Sequence, residues 1–257
     1  SDVTAAPRAT ESDKTAFNRE RAEHRRTVAR TVRSERERLT SVSGTKPAFD
    51  YELLLIFARN RISAALAMPL LVAIVAGAAL LWIDVRIVLV WAAAALLVHA
   101  GARLLCHRFA ALPMNDVSIR KWTARFVGME GLAALVWASV LVFLPDALRS
   151  TEGLEIFQFT TALIVVSVVT TLASTVPTAA VAGTLPVTLT LTAVYLIRGE
   201  FLYIALALMA LGAQFFFLIL SSRLYSATLS MVEFRAEKDL LIADLGTAKA
   251  ISDESRR

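Results

Sequence analysis

The chain has 257 residues, of which 56% are hydrophobic and only 19% charged, with a mean hydropathy of +0.60. A soluble domain runs about 45–50% apolar and about 25% charged, so this composition excludes an ordinary soluble domain and a disordered body alike. One cysteine, Cys106, excludes a disulfide framework, the histidines His24, His99 and His107 make no metal motif, and the net charge of +5 is not evenly spread.

Residues 1–48 read as a charged cytoplasmic arm. The first 50 residues hold 11 Lys or Arg and 8 Asp or Glu, with few apolar side chains. Between Phe17 and Thr40 there is no Pro or Gly, which predicts a solvated helix with turn-spaced pairs such as Glu20 and His24. Attraction to anionic lipid is the functional alternative. So many acids among the bases argue against nucleic acid. No basic stretch followed by a short apolar core and a cleavage site marks a secretory signal. Residues 49–61, with Phe49, Tyr51, Leu53, Leu54, Ile56 and Phe57, predict an aromatic-rich interfacial segment.

Residues 62–220 are almost continuously apolar. A spanning helix needs about 20 apolar residues to cross roughly 30 Å of hydrocarbon, and six such stretches are expected. They are Ile62 to Ile83, Ile87 to Leu105, Phe126 to Leu144, Phe157 to Val176, Ala180 to Ile197 and Phe201 to Leu220. Pro177 marks the boundary between the fourth and fifth, and Pro186 removes one backbone donor within the fifth and predicts a kink.

Arg59 and Arg61, then Arg108, Arg120, Lys121 and Arg125, then Arg223, Arg235 and Lys238 flank alternate ends of these spans. The opposite connections carry only Arg86, Arg149 and Arg198, each with acidic neighbours. Positive residues accumulate on the cytoplasmic side, so both termini are expected inside a bacterial inner membrane. The outward loops are short, the longest about Pro145 to Ile156, which leaves no room for an external ligand-binding domain.

Polar residues within spans are functional candidates by default. Glu130 is expected one turn into the third span, with Arg103 and His99 in the last turns of the second. Either Glu130 pairs with Arg103 beside His99, or all three snorkel to the headgroups. Gln214, mid-span in the sixth, is expected to hydrogen-bond across a helix interface. Ala73 with Gly77, and Ala179 with Gly183, are small-residue pairs that permit close helix approach. Cys106 reads as an inert thiol. The chain shows no paired carboxylates, no Ser/His/Asp set and no HExxH motif, so neither catalytic nor cofactor-binding residues are expected on it.

Residues 221–257 have no Pro and a single Gly, Gly246. With Leu224 at an a position, successive a and d sites are Leu224, Ala227, Met231, Phe234, Lys238, Leu241, Leu245, Ala248 and Ser252. Such a stripe predicts a parallel dimeric coiled coil in phase with the last span, with Leu224, Met231, Phe234, Leu241 and Leu245 as its contacts. A single amphipathic helix lying on the bilayer is the alternative. The helix reaches Arg257 without a stop signal, from which a continuing domain is expected.

The stretch Arg235-Ala236-Glu237-Lys238-Asp239-Leu240-Leu241-Ile242-Ala243-Asp244-Leu245, then Ala248 to Glu254, resembles the signalling helix of bacterial membrane-bound sensor histidine kinases. Phe49 to Leu54 and Phe57 to Arg61 are similar to the amino end of some of them. The resemblance implies the membrane input and dimerisation region of a two-component kinase, a homodimer that meets its response regulator only through a kinase domain lying beyond Arg257. No His followed by an acidic residue is present, so no phosphoacceptor lies on this chain. A small transporter of three plus three inverted repeats, or the same anchor on a diguanylate cyclase, are the alternatives.

Overall fold

The computed structural model describes residues 47–143 and 153–254 and is all-helical among them. The helices are α1 (Pro47–Ser63), α2 (Ala67–Ala79), α3 (Val85–Ala110), α4 (Ile119–Leu141), α5 (Leu154–Ala173), α6 (Pro177–Arg198) and α7 (Phe201–Glu254). A single 3₁₀ turn, Met114–Asp116, lies between α3 and α4. Five helices, α3 to α7, are long and apolar enough to cross a membrane. The pair α1 and α2 passes the same test jointly but is bent by 52° at its break. The chain is therefore an all-α polytopic membrane protein. The charged arm and the loop expected around Arg149 fall outside the described residues.

The first expected span is the largest departure from the sequence reading. Instead of one helix from Ile62 to Ile83, α1 ends at Ser63 and α2 starts at Ala67. Pro69 supplies the reason. It has no N–H, and its ring collides with the carbonyl four residues back, that of Ala65. The chain turns over Ala64 to Leu66 instead, where Ala65 N–H donates to the Ile62 carbonyl at 3.2 Å and Ala67 N–H to that of Ala64 at 3.0 Å. Residues 49–61 form most of α1, and Phe57 and Ala58 are buried, with the Phe57 ring 4.9 Å from that of Phe126.

Other boundaries moved less. The helix expected at Phe126 begins at Ile119, so Arg120, Lys121 and Arg125 lie on its first turns rather than in a loop. Arg125 covers the Trp122 ring at 4.7 Å. Pro177 occupies the first turn of α6, as proline does at helix starts, and α6 continues through Pro186 to Arg198. Gly199, in the left-handed region at φ 72°, ends α6 and releases the chain into α7.

Contacts fix which helix ends lie together. At one end the Tyr51 hydroxyl donates to the Leu112 carbonyl at 3.0 Å, placing Tyr51 of α1 beside the α3–α4 connection. At the other, Trp82 meets Phe157 at 5.1 Å and the Tyr195 hydroxyl donates to the Glu155 carbonyl at 2.8 Å. The bent pair thus traverses the bundle as one crossing. Tyr51 and the exit of α7 therefore belong to the same end. The core between them holds Trp91, Phe109, Phe126, Trp137, Leu141, Leu191 and Tyr195. The α4–α6 contact is the most extensive in the bundle.

Candidate functional site

A polar layer crosses the middle of the bundle. Glu130 stands at the centre of the 23-residue α4, eleven residues from either end, because that helix starts seven residues earlier than its apolar stretch suggested. At 1.5 Å per residue this places it about 16 Å from each helix terminus. Its partner is Arg61, in the last turn of α1: the two form a salt bridge with side chains only 5% and 6% exposed. The break in the bent pair puts Arg61 at this depth.

The expected pair of Glu130 with Arg103 is thereby corrected. Arg103 is exposed on α3, and the carboxylate is held by Arg61. The sequence reading treated Arg61 only as a positive flank of the first span. Reading Pro69 as a break would have shown that Arg61 precedes a bend, not a span. The headgroup alternative fails for Glu130 as well, since it is buried.

The backbone of α6 closes over this ion pair. A Cβ built on Gly183 would lie 2.6 Å from Val169 Cγ1 and 3.2 Å from Glu130 Oε2. Glycine is required here by close approach, and Ala179, one turn before it, is fully buried in the same contact. The second small-residue pair behaves differently: Ala73 and Gly77 are exposed, and nothing lies within 4 Å of a Cβ at Gly77.

Next to Gly183, Thr184 begins a closed hydrogen-bond circuit. Thr184 Oγ1 donates to the Ala180 carbonyl at 2.8 Å and accepts from Gln214 Nε2 at 3.0 Å. Thr188 Oγ1 donates to Gln214 Oε1 at 2.7 Å. Gln214 therefore joins α7 to α6 as expected of a mid-span amide, with its carbonyl oxygen and one amide N–H both used. On the other side of the layer, His99 accepts at Nε2 from Trp137 Nε1 at 3.1 Å, which leaves Nδ1 as the ring's donor.

Of the four intramembrane candidates, Glu130 and Gln214 meet different faces of the same stretch of α6, His99 joins the layer through Trp137, and Arg103 stands apart on the surface of α3. Gln158 was not anticipated. Its Nε2 donates to the Leu141 carbonyl at 2.8 Å, satisfying an acceptor that the end of α4 leaves open. Cys106 is a buried free thiol. No group of three or more His, Cys, Asp or Glu side chains suited to a metal occurs among the described residues.

A cleft of about 540 Å³ opens beside the layer, between the α1–α2 bend and α3. Arg61 and His99 contribute to its lining, and so do Arg103 and His107. Arg61 Nε is buried without an acceptor.

α7 as a whole runs unbroken for 54 residues, about 81 Å at 1.5 Å per residue, and its later part leaves the bundle. Met231, Phe234, Leu241 and Leu245 are exposed along it, and Leu224 is half-buried. Ser221 and Val232, eleven residues apart and so on one side of the helix, are buried. That side is about 100° from the a/d stripe, which remains uncovered. Comparison with models of known families, with known proteins and with solved structures finds no match to this chain.

Proposed function

We propose that this chain is the membrane input and dimerisation region of a signal-transduction protein of the sensor histidine kinase kind. The observation that carries this reading is α7, a single helix that starts beside α6, passes through the bundle and leaves it without a break. Rotation or translation of its membrane half is delivered to its far half without an intervening joint, which is what a helix-borne signal requires. The uncovered stripe of Leu224, Met231, Phe234, Leu241 and Leu245 provides the seam for a second copy. The basic residues Arg108, Arg120, Lys121, Arg125 and Arg223 gather at the end from which α7 emerges, while among the described residues only Arg86 and Arg198 lie at the other. On this charge asymmetry that end is cytoplasmic in an inner membrane. In this reading the kinase domain, and through it the response regulator, is reached from α7.

A transporter is the second reading, and one observation favours it. The Arg61–Glu130 pair supplies the mid-depth ionisable residues that the sequence did not reveal. The two readings separate on α7, because a transporter needs no paired extension.

Single cysteines replacing Met231, Phe234, Leu241 and Leu245 in the otherwise Cys106→Ser chain should crosslink two copies in native membranes. Cysteines at Glu233 and Ala236, on the opposite side of the helix, should crosslink poorly. Crosslinking that is absent or equal everywhere would overturn the dimeric connector and leave the transporter. The codons following Arg257 then separate outputs: a His-Glu phosphoacceptor motif marks a kinase, and a Gly-Gly-Asp/Glu-Glu-Phe motif a cyclase.

A further inference from the structure

We propose that the cleft between the α1–α2 bend and α3 binds one anionic phospholipid, its phosphate between Arg103 and His107 and one acyl chain along Leu96, Met68 and Pro69. The site does not depend on the signalling reading. It rests on three features of the cleft.

The first is a ladder of nitrogen donors. His99, Arg103 and His107 follow at intervals of four residues, so they rise along one face of α3 by about 6 Å per step. All three line the cleft. Among the described residues no carboxylate pairs with Arg103 or His107, and both side chains are exposed. Arg103 lies seven residues before the end of a 26-residue helix about 39 Å long. Such a helix overreaches a hydrocarbon layer of roughly 30 Å, leaving His107 near its boundary and Arg103 about one turn inside. An uncompensated guanidinium at that depth costs free energy, and a phosphate drawn to it removes the cost.

The second feature is the apolar wall. Leu96, Ala100 and Leu104 form a parallel row beside the ladder, and Met68 and Pro69 face it from α2. The bend imposed by Pro69 is what separates α2 from α3 here and creates the volume. Because α3 buries only 17% of its most apolar stretch inside the bundle, the cleft opens sideways to the bilayer rather than to water. Its occupant therefore enters from the membrane.

The third feature is the inner end of the ladder, where His99 and Arg61 both line the cleft. The His99 level of the ladder lies one turn deeper than Arg103. An ester carbonyl sits about that far below a lipid phosphate, so one molecule can engage both levels. A soluble phosphate satisfies the upper one alone.

The test uses the full chain purified into nanodiscs of dioleoylphosphatidylcholine doped with dioleoylphosphatidylglycerol, with bound lipid counted by native mass spectrometry. One phosphatidylglycerol per protomer should be retained in preference to phosphatidylcholine. Arg103→Gln should lower that preference about fivefold, and Arg103→Lys should largely keep it. Arg86→Gln, at the other end of α3, should leave it unchanged. Ala100→Trp, which fills the cleft and keeps every charge, should abolish retention. Equal retention of both lipids, or an Arg103→Gln variant identical to the parent, would overturn the site and leave Arg103 as a snorkelling side chain. Full competition by water-soluble glycerol phosphate would overturn the lipid in favour of a free anion.

Discussion

Arg61, in the last turn of α1, is ion-paired to Glu130 at the centre of α4, sixty-nine residues later in the chain. Removing one partner leaves the other buried and charged, which typically costs 3–5 kcal/mol. Glu130→Gln and Arg61→Gln should each lower resistance to unfolding by about that much. The joint replacement Arg61→Met with Glu130→Leu should recover most of the loss, because well-packed apolar side chains often replace a buried pair without penalty. Denaturation by dodecyl sulfate in bicelles measures all three. In a double-mutant cycle, Arg61 and Glu130 should couple by more than about 2 kcal/mol, and Arg103 and Glu130 by less than about 0.5 kcal/mol.

Gly183 is the second point of stress. A methyl group there would meet Val169 and the Glu130 carboxylate at once. Overpacking of this kind costs about 1–3 kcal/mol, so Gly183→Ala should destabilise the bundle and Gly183→Val should destabilise it further. Gly77→Ala, at a position with open space, should be nearly silent in the same assay. Equal effects at the two glycines would contradict the α6–α4 approach.

Replacement of Gln214 tests the circuit with Thr184 and Thr188. Hydrogen bonds inside membranes average only about 0.6 kcal/mol, with a maximum near 1.7 kcal/mol. Gln214→Leu should therefore cost less than breaking the ion pair. Thr184 keeps the Ala180 carbonyl as its acceptor in any case. A loss as large as that of Glu130→Gln would mean that Gln214 carries more than these two bonds.

Pro69→Ala restores the backbone donor whose absence goes with the bend. Spin labels at Asn60 and Ile74, fourteen residues apart, would be about 21 Å apart along a straight helix. The bent pair should hold them closer, and Pro69→Ala should move the distance towards the straight value. The cleft beside α3 should narrow in parallel, reducing lipid retention. An unchanged distance would assign the bend to tertiary packing instead of Pro69.

Much of the architecture was legible because it depends on local chemistry. Hydrocarbon admits only segments whose backbone is satisfied internally, so apolar runs about 20 residues long announce α3, α5, α6 and the membrane half of α7 on composition alone. Pro177 and Gly199 punctuate α6 at both ends through their own backbone constraints. Gln214 was identifiable because a lone amide in an apolar helix has to find a partner. Pro69 was equally local, yet the apolar run around it concealed the break, since hydropathy does not register a missing N–H.

What the tertiary structure alone decided is which polar groups meet. Apolarity marks where a helix enters lipid but not what its polar residues will face, and Glu130 of α4 is buried against α1 and α6 instead of turning to the headgroups. Packing decides its partner. Arg103, near it by span counting, remains on the surface of α3, and Arg61, assigned by sequence to a flank, is brought inward by the α1–α2 bend. Nearness between Arg61 and Glu130 depends on the packing of three helices and on Gly183 letting α6 approach. No spacing within one helix encodes it, because helical periodicity fixes which residues share a face and leaves open which faces will touch.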